Sequence, residues 1–133
     1  MTYALDTNII IHLLSHTPMV LARRDVALEQ WARLIIPPYV NFELRRGFRY
    51  VHATAKERSY NQLCAKCTVG EMKSETWELA ADIYADLRRA GYTVGDADIL
   101  IAAFCLIDRH TLVTNNIKDF QNIQGLQMVD WTK

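Results

Sequence analysis

The sequence has few cysteines, no excess of either charge and no long apolar run, and each shortage excludes a class of protein. Three cysteines, an odd number, do not fit the disulfide framework of a small secreted domain. The 15 basic and 15 acidic residues cancel, which argues against a strong, unspecific electrostatic binder of polyanions. No apolar run is long enough to span a membrane, and nothing at the N-terminus resembles a secretion signal. We therefore expect a soluble cytoplasmic protein.

The residues that are present predict one α/β domain over residues 1–133. Half of the chain is hydrophobic, which gives a core of useful size, and no repeat or linker-like segment divides the chain. Short apolar runs predict strands at residues 3–5, 34–36, 68–69, 112–113 and 126–129. Helical patterns occupy residues 9–14, 20–34, 39–51, 54–66, 74–89 and 99–107. This alternation indicates a mainly parallel sheet with the first strand near its centre.

Three details of these helices are specific enough to be tested by a structure. In the helix over residues 20–34, Trp31 is expected on the apolar side. In the helix over residues 74–89, Trp77 and Tyr84 belong to a stripe that we expect to be core or dimer contact. His110 is expected to end the helix that starts near Asp98.

Acidic and amide side chains follow or precede the central elements at one edge of the predicted sheet. Asp6 follows the first strand, and Asn116 follows the strand at residues 112–113. Asp96 and Asp98 start the helix that precedes that strand, so they lie at the edge where the strands end. Glu43 joins them if its helix packs on the sheet with its first turn at the same edge.

Such a set of oxygen ligands predicts a site for a hard divalent cation. Clustered carboxylates repel one another unless a cation lies among them, and Mg²⁺ and Mn²⁺ prefer oxygen ligands. A metal held in this way suits phosphodiester hydrolysis. Each residue also has a simpler explanation, as a helix cap (Asp6, Asp96, Asp119), a solvated ion pair (Glu43) or a turn (Asn115, Asn116). That all of them reach one edge by chance is the weaker explanation.

Five blocks of the sequence resemble one known family. They are LDTNIII at 5–11, IPPYVNFELRRG at 36–47, VGDADILIAA at 94–103, TLVTNNIKDF at 111–120 and GLQMVDW at 125–131. In this order they resemble a PIN domain, and more closely a VapC-type toxin of a type II toxin–antitoxin system. The resemblance implies a three-layer, Rossmann-like PIN-domain sandwich. It also implies a Mg²⁺- or Mn²⁺-dependent endoribonuclease with a VapB-type antitoxin as partner, homodimerisation, and transfer RNA as a target.

The resemblance also assigns roles to individual residues. The family's acidic metal positions fall on Asp6, Glu43 and Asp98, with Asp96 as an additional, lower-ranked ligand. Where some PIN domains carry a fourth aspartate, this chain has Asn116, which is expected to assist catalysis through its amide oxygen. The residues expected to contact RNA or antitoxin are Thr7, Asn8 and Arg46.

Two alternatives stay open on the sequence alone. Because Asn116 brings no charge, the chain could be a catalytically weak regulator that keeps the fold and binds RNA or protein. A nucleotide-binding protein is the weaker alternative, since no glycine-rich phosphate loop follows the first strand. Cys64 and Cys67 form half of a zinc signature without a second half, so we expect reduced, inert thiols.

Overall fold

The computed structural model describes residues 1–133 and has a five-stranded parallel sheet at its centre. The strand order is β3-β2-β1-β4-β5. The strands are β1 (Thr2–Leu5), β2 (Arg33–Ile36), β3 (Thr68–Val69), β4 (Thr111–Val113) and β5 (Met128–Val129). The first strand lies in the middle, as expected, and the last strand is two residues shorter than the expected 126–129.

Helices connect all of the strands. They are α1 (Thr7–Leu14), α2 (Pro18–Glu29), α3 (Pro38–Tyr50), α4 (Thr54–Cys64), α5 (Ser74–Arg89), α6 (Asp96–Ile107) and α7 (Ile117–Phe120). No helix combines the length and the apolar character needed to cross a lipid bilayer. The predicted α/β class with a parallel sheet is confirmed.

The core forms around the two central strands and α6. Leu5 pairs with Val113, and both are fully buried, because helices cover a parallel sheet on both faces. In α6 six residues are buried, including Ile101 and Phe104, so this helix is apolar on most of its surface. Burying it fixes the position of its polar first turn at the edge of the sheet.

The prediction of a helix over residues 20–34 was wrong at its C-terminal end. Helix α2 ends at Glu29, and Trp31 adopts a left-handed backbone with φ of 62° and a side chain that is 91% exposed. The chain must reverse within three residues so that Arg33 can pair with Thr2 in the sheet. A left-handed residue just after a helix is the usual way to make that reversal.

The core explanation of the Trp77 stripe was also wrong. Trp77 is 53% exposed, and Tyr84 is exposed as well, whereas the buried side of α5 carries Thr76, Ala80 and Leu87. These residues also lie at helical spacing on one face of α5, and it is this face that packs towards α6. Large aromatic side chains at helical spacing do not by themselves show which face is buried.

His110 does not end a helix. Helix α6 ends at Ile107, and His110 is buried at the start of β4 with its Nδ1 2.6 Å from Thr2 Oγ1. Burial lowers the pKa of the imidazole. The reason is topological, since β4 enters the middle of the sheet beside β1 and takes the residue before it into the core.

Candidate active site

The polar side chains meet where β1 and β4 end. Strand β1 has β2 on one side and β4 on the other. The chain builds β2 and β3 on the first side before it returns to form β4 on the second. Such a point of reversal opens a crevice at the carboxyl ends of the strands. The N-termini of α1 and α6 and the first turns of α3 come to the same crevice, because each of these helices follows or precedes a strand there.

Asp6 is the most enclosed of the acidic residues, with 7% of its surface exposed. Its Oδ1 accepts a hydrogen bond of 2.8 Å from the backbone N–H of Thr7, which caps α1 as expected. Its Oδ2 accepts one of 2.7 Å from the hydroxyl of Thr114. Burial raises the pKa of Asp6 in spite of these two donors, and the charges of Glu43 and Asp119 raise it further.

Glu43 reaches the site from the second turn of α3. Its Oε1 accepts a hydrogen bond of 2.5 Å from the Thr7 hydroxyl, and its Oε2 lies 3.7 Å from Nη2 of Arg46. Thr7 therefore connects the two carboxylates, since its N–H binds Asp6 and its hydroxyl binds Glu43. The predicted approach of Glu43 to the sheet edge is what the structure has.

Asp98 lies in the first turn of α6, partly buried and facing the other acids. Burial raises its pKa to about 6, and the charges of Asp119, Asp6 and Glu43 contribute in that order. A helix N-terminus favours the ionised form of a carboxyl group. The pKa is raised all the same, so negative charge from the neighbours and loss of solvent outweigh the helix.

The structure places Asp119 closer to the other carboxylates than the sequence suggested. It is exposed on the one-turn helix α7, yet among the charged neighbours of Asp98 it has the largest effect on the pKa. The sequence offered one signal, because Asp119 lies three residues after Asn116 and therefore one turn along. The acidic set is Asp6, Glu43, Asp98 and Asp119, and we call it the carboxylate cluster.

Asn116, Asp96 and Asn8 lie at the border of this cluster. Asn116 is exposed, and its contact is made by the backbone N–H, which donates to the hydroxyl of Thr114 at 3.0 Å. Asp96 is exposed in the first turn of α6, and Gly95, not Asp96, is the N-cap residue. The amide of Asn8 lies 3.5 Å from Oδ1 of Asn115 across the same edge.

Thr114 is a residue that the sequence reasoning missed. It is fully buried, donates to Asp6, and accepts from the backbone of Asn116. The segment TLVT at residues 111–114 is rich in β-branched residues, which are common in strands, so a threonine there does not indicate a special role. Its position directly after β4, opposite the residue that follows β1, was the available signal.

The arginines of α3 divide into two groups. Arg45 and Arg49 both bind Glu57 of α4, at 3.1 Å and 3.0 Å, and these contacts lower the pKa of Glu57. Arg46 points instead to Glu43 and is exposed. Of the three cations that the sequence places beside Glu43, only Arg46 is directed to the carboxylate cluster.

A small open cavity of about 200 Å³ lies beside the cluster. Asp98 and Asp119 line it on one side, and Lys118 adds a cation. No group of three acidic, histidine or cysteine side chains is close enough to bind one ion by itself. The neighbouring carboxylates thus raise the pKa values of Asp6 and Asp98 across the crevice, and the four groups do not form a closed cage.

The other metal-capable residues of the sequence lie apart from this site. Cys64 and Cys67 are free, and burial raises the pKa of Cys67 to about 11, so its thiol is protonated at neutral pH. Nδ1 of His12 is 2.9 Å from the hydroxyl of Thr17 in the turn after α1. The free cysteines agree with the expected reduced thiols, and His12 packs in a turn.

Comparison with known proteins gives a consistent picture. The family model described as PIN domain matches residues 3–126. Ribonuclease VapC1 of Haemophilus influenzae (strain R2866) is 32% identical over 134 residues, which cover 100% of both chains.

Two solved structures are similar over the whole fold. VapBC-1 from nontypeable Haemophilus influenzae has a TM-score of 0.87 and 31% identity, with 100% of each chain covered. VapBC2 from Rickettsia felis, solved bound to a DNA fragment from its promoter, has a TM-score of 0.91. It covers 98% of this chain and 99% of its own at 23% identity, so it supports the fold alone.

Proposed function

Since the chain belongs to the PIN domain family, in the branch of the VapC ribonucleases, we propose that it is an endoribonuclease and the toxin of a toxin–antitoxin pair. The observation that carries this proposal is the carboxylate cluster at the carboxyl ends of β1 and β4. A cluster with so few counter-charges suits the hydrolysis of an anionic backbone only if a cation is present. Transfer RNA is the first substrate to test.

We infer that the cation is Mg²⁺ or Mn²⁺. The donor set fits, because all four side chains offer oxygen. Beyond the effect of burial, the charges of Asp119, Asp6 and Glu43 raise the pKa of Asp98, so the chain itself does not neutralise the negative charge of the site. Mg²⁺ commonly keeps several waters and binds one or two carboxylates directly, which suits an open cluster of this kind. A divalent cation held there would polarise the scissile phosphoryl group and lower the pKa of an attacking water molecule.

The residues of the chain have separate tasks in this proposal. Asp6 and Asp98 hold the cation, and Glu43 and Asp119 complete its charge or bind its waters. Asn116 assists at the border through its amide, and Asp96 is the last choice as a ligand because it is exposed at the outer side of the turn. Thr7 and Thr114 hold the carboxylates in place through the hydrogen bonds described above.

RNA contact falls to residues around the cluster. Arg46 is exposed and its ion pair with Glu43 is long, so its guanidinium is available to a phosphate oxygen. The exposed amide of Asn8 reaches the same crevice. An antitoxin that covers the crevice would compete for these groups, which is how we propose that a VapB-type partner inhibits the enzyme. The similar VapBC-1 structure supports that partner, and homodimerisation is part of the same proposal.

Cleavage of RNA by the purified protein tests the proposal. We expect cleavage with Mg²⁺ or Mn²⁺, loss of cleavage with EDTA, and loss of cleavage in Asp98→Asn. Asp96→Asn is the comparison variant, because it removes the same charge two residues earlier on the same helix, and as the lowest-ranked ligand it should cost less cleavage than Asp98→Asn. Undiminished metal-dependent cleavage by Asp98→Asn would refute the assignment of Asp98 to the active site.

A non-catalytic binder of RNA or protein is the second candidate, and two observations favour it. Asn116 is neutral, and no three ligands are close enough to bind one ion directly. The two functions differ in metal binding. Titration with Mn²⁺ at millimolar concentration separates them, since a nuclease must bind the ion and a binder has no need of it.

A further inference from the structure

Helix α3 exposes an aromatic surface directly beside Glu43. Phe42, the preceding residue, is 53% exposed. Its ring packs edge-to-face on Tyr39, with the centroids 5.9 Å apart and the planes at 66°. Single exposed apolar residues are normal on protein surfaces, so exposure alone would not indicate a site. The neighbours of this pair give it a chemical character.

Arg46 connects the two rings to the carboxylate cluster. Its guanidinium carbon lies 5.1 Å from the Phe42 centroid and 5.9 Å from the Tyr39 centroid. One of its nitrogens, Nη2, is 3.7 Å from Oε2 of Glu43. Arg46 therefore contacts both a ring on which a base can stack and a candidate catalytic carboxylate, and its own cation can bind phosphate.

The balanced charge of the whole chain favours such a surface for RNA binding. With 15 basic and 15 acidic residues, the chain has no net positive charge to attract a polyanion. The carboxylate cluster adds local repulsion. Proteins bind single strands by combining cations with aromatic rings on which bases stack, and stacking does not depend on net charge.

We propose that Tyr39, Phe42 and Arg46 form a nucleotide subsite, in which Phe42 stacks on the base next to the scissile phosphate and Arg46 binds a phosphate. This proposal rests on the proposed ribonuclease function. A base can stack on Phe42 only when it has left its neighbours in the RNA, so the subsite accepts a single-stranded or loop segment. Tyr39 contacts the Phe42 ring edge-to-face and so limits its movement.

Binding of a single-stranded oligoribonucleotide to the Asp98→Asn protein tests the subsite without cleavage. Binding is measured by fluorescence anisotropy. An oligoribonucleotide of about ten nucleotides is long enough for the binding site of a typical single-strand-binding protein. We expect Phe42→Ala to weaken binding roughly five- to a hundredfold and Phe42→Trp to keep it. Arg46→Gln should lower the slope of log Kd against log salt by about one, and Phe42→Ala should leave that slope unchanged.

Tyr50→Ala is the matched control. Tyr50 is an 87% exposed aromatic residue on the same helix, about 12 Å further along its axis at the rise of an α-helix. We expect this variant to bind RNA as the parent does. Equal binding by Phe42→Ala and Tyr50→Ala overturns the subsite.

Removing bases from the RNA identifies the contact. An oligoribonucleotide with an abasic position beside the cleavage site should bind Phe42→Ala and the parent equally, because the base that stacks is gone. An unchanged difference on the abasic RNA overturns the proposal. So does a Phe42→Ala variant that loses dimer or antitoxin binding while it binds RNA normally, since the surface would then be a protein contact. Cleavage by the unmodified chain is measured separately, and its absence refutes the ribonuclease proposal by itself.

Discussion

Replacing Asp98 by Asn should stabilise the metal-free protein at neutral pH. The change keeps the size of the side chain and removes one negative charge that burial disfavours and that Asp119, Asp6 and Glu43 repel. Most single substitutions destabilise a protein. A stabilising exchange in the first turn of a core helix is therefore a sharp result, and it follows directly from the arrangement of the carboxylates.

The raised pKa gives the magnitude. The difference between the ordinary value of 3.8 and about 6 corresponds to about 3 kcal/mol against the charged form. Because Asp98 is partly exposed, solvent reduces this figure, and we expect about 1–2 kcal/mol. For a domain of this length, 1 kcal/mol shifts Tm by about 4 °C.

The pH dependence has a definite sign. A carboxyl group whose pKa is higher in the folded protein binds more protons there, so the penalty is absent below about pH 4 and complete above about pH 6. The stability gap between Asp98→Asn and the unmodified protein should thus open between these values. Urea unfolding in EDTA at pH 4, 5 and 7.5 measures it.

Asp96→Asn corrects for the loss of a favourable charge at the helix N-terminus, which both variants share. We expect Asp98→Asn to exceed Asp96→Asn by about 1–2 kcal/mol at pH 7.5. If the two variants are equally stable there, or if their difference is the same at pH 4, burial and the neighbouring carboxylates do not destabilise the charged form of Asp98 in the way described.

Further substitutions test other parts of the structure. Adding Mn²⁺ should raise the Tm of the unmodified protein more than that of Asp98→Asn in thermal unfolding, because the variant has lost a ligand. Thr114→Val removes a donor from the buried Asp6, which should cost about 1–3 kcal/mol in urea unfolding. Burial lowers the pKa of His110, so stability should fall as pH drops below 6.5, and His110→Gln, which takes up no proton, should flatten that slope. Leu112 is fully buried in the central strand β4, so Leu112→Ala should lower the unfolding free energy by about 2–5 kcal/mol. A smaller loss would place β4 outside the core.

The sheet and the position of its polar edge could be predicted because their signals are local. Apolar runs mark β1 and β4, and Asp6 is placed by the strand that it follows. The start of α6 is fixed by the change from Asp98 to an apolar run. Once the sheet is parallel, topology alone brings these residues to one edge.

Packing direction and side-chain partners could not be predicted in the same way. Periodicity counts Trp31 and Trp77 as apolar, but only the fit of neighbouring elements decides which face is buried. The hydroxyl of Thr114 acquires its role from Asp6, which is 108 residues away in the chain. The effect of Asp119 depends on the loop before α7, whose course no residue pattern determines.

The central place of β4 in the sheet has a consequence for synthesis of the protein. A nascent chain that stops before Asp98 already carries Asp6 and Glu43, together with β3, β2 and β1 in adjacent order. It lacks half of the carboxylate cluster and the strand that pairs with the other side of β1. The middle of the sheet is thus filled only after Val113 has been made, so a shorter nascent chain cannot assemble the crevice.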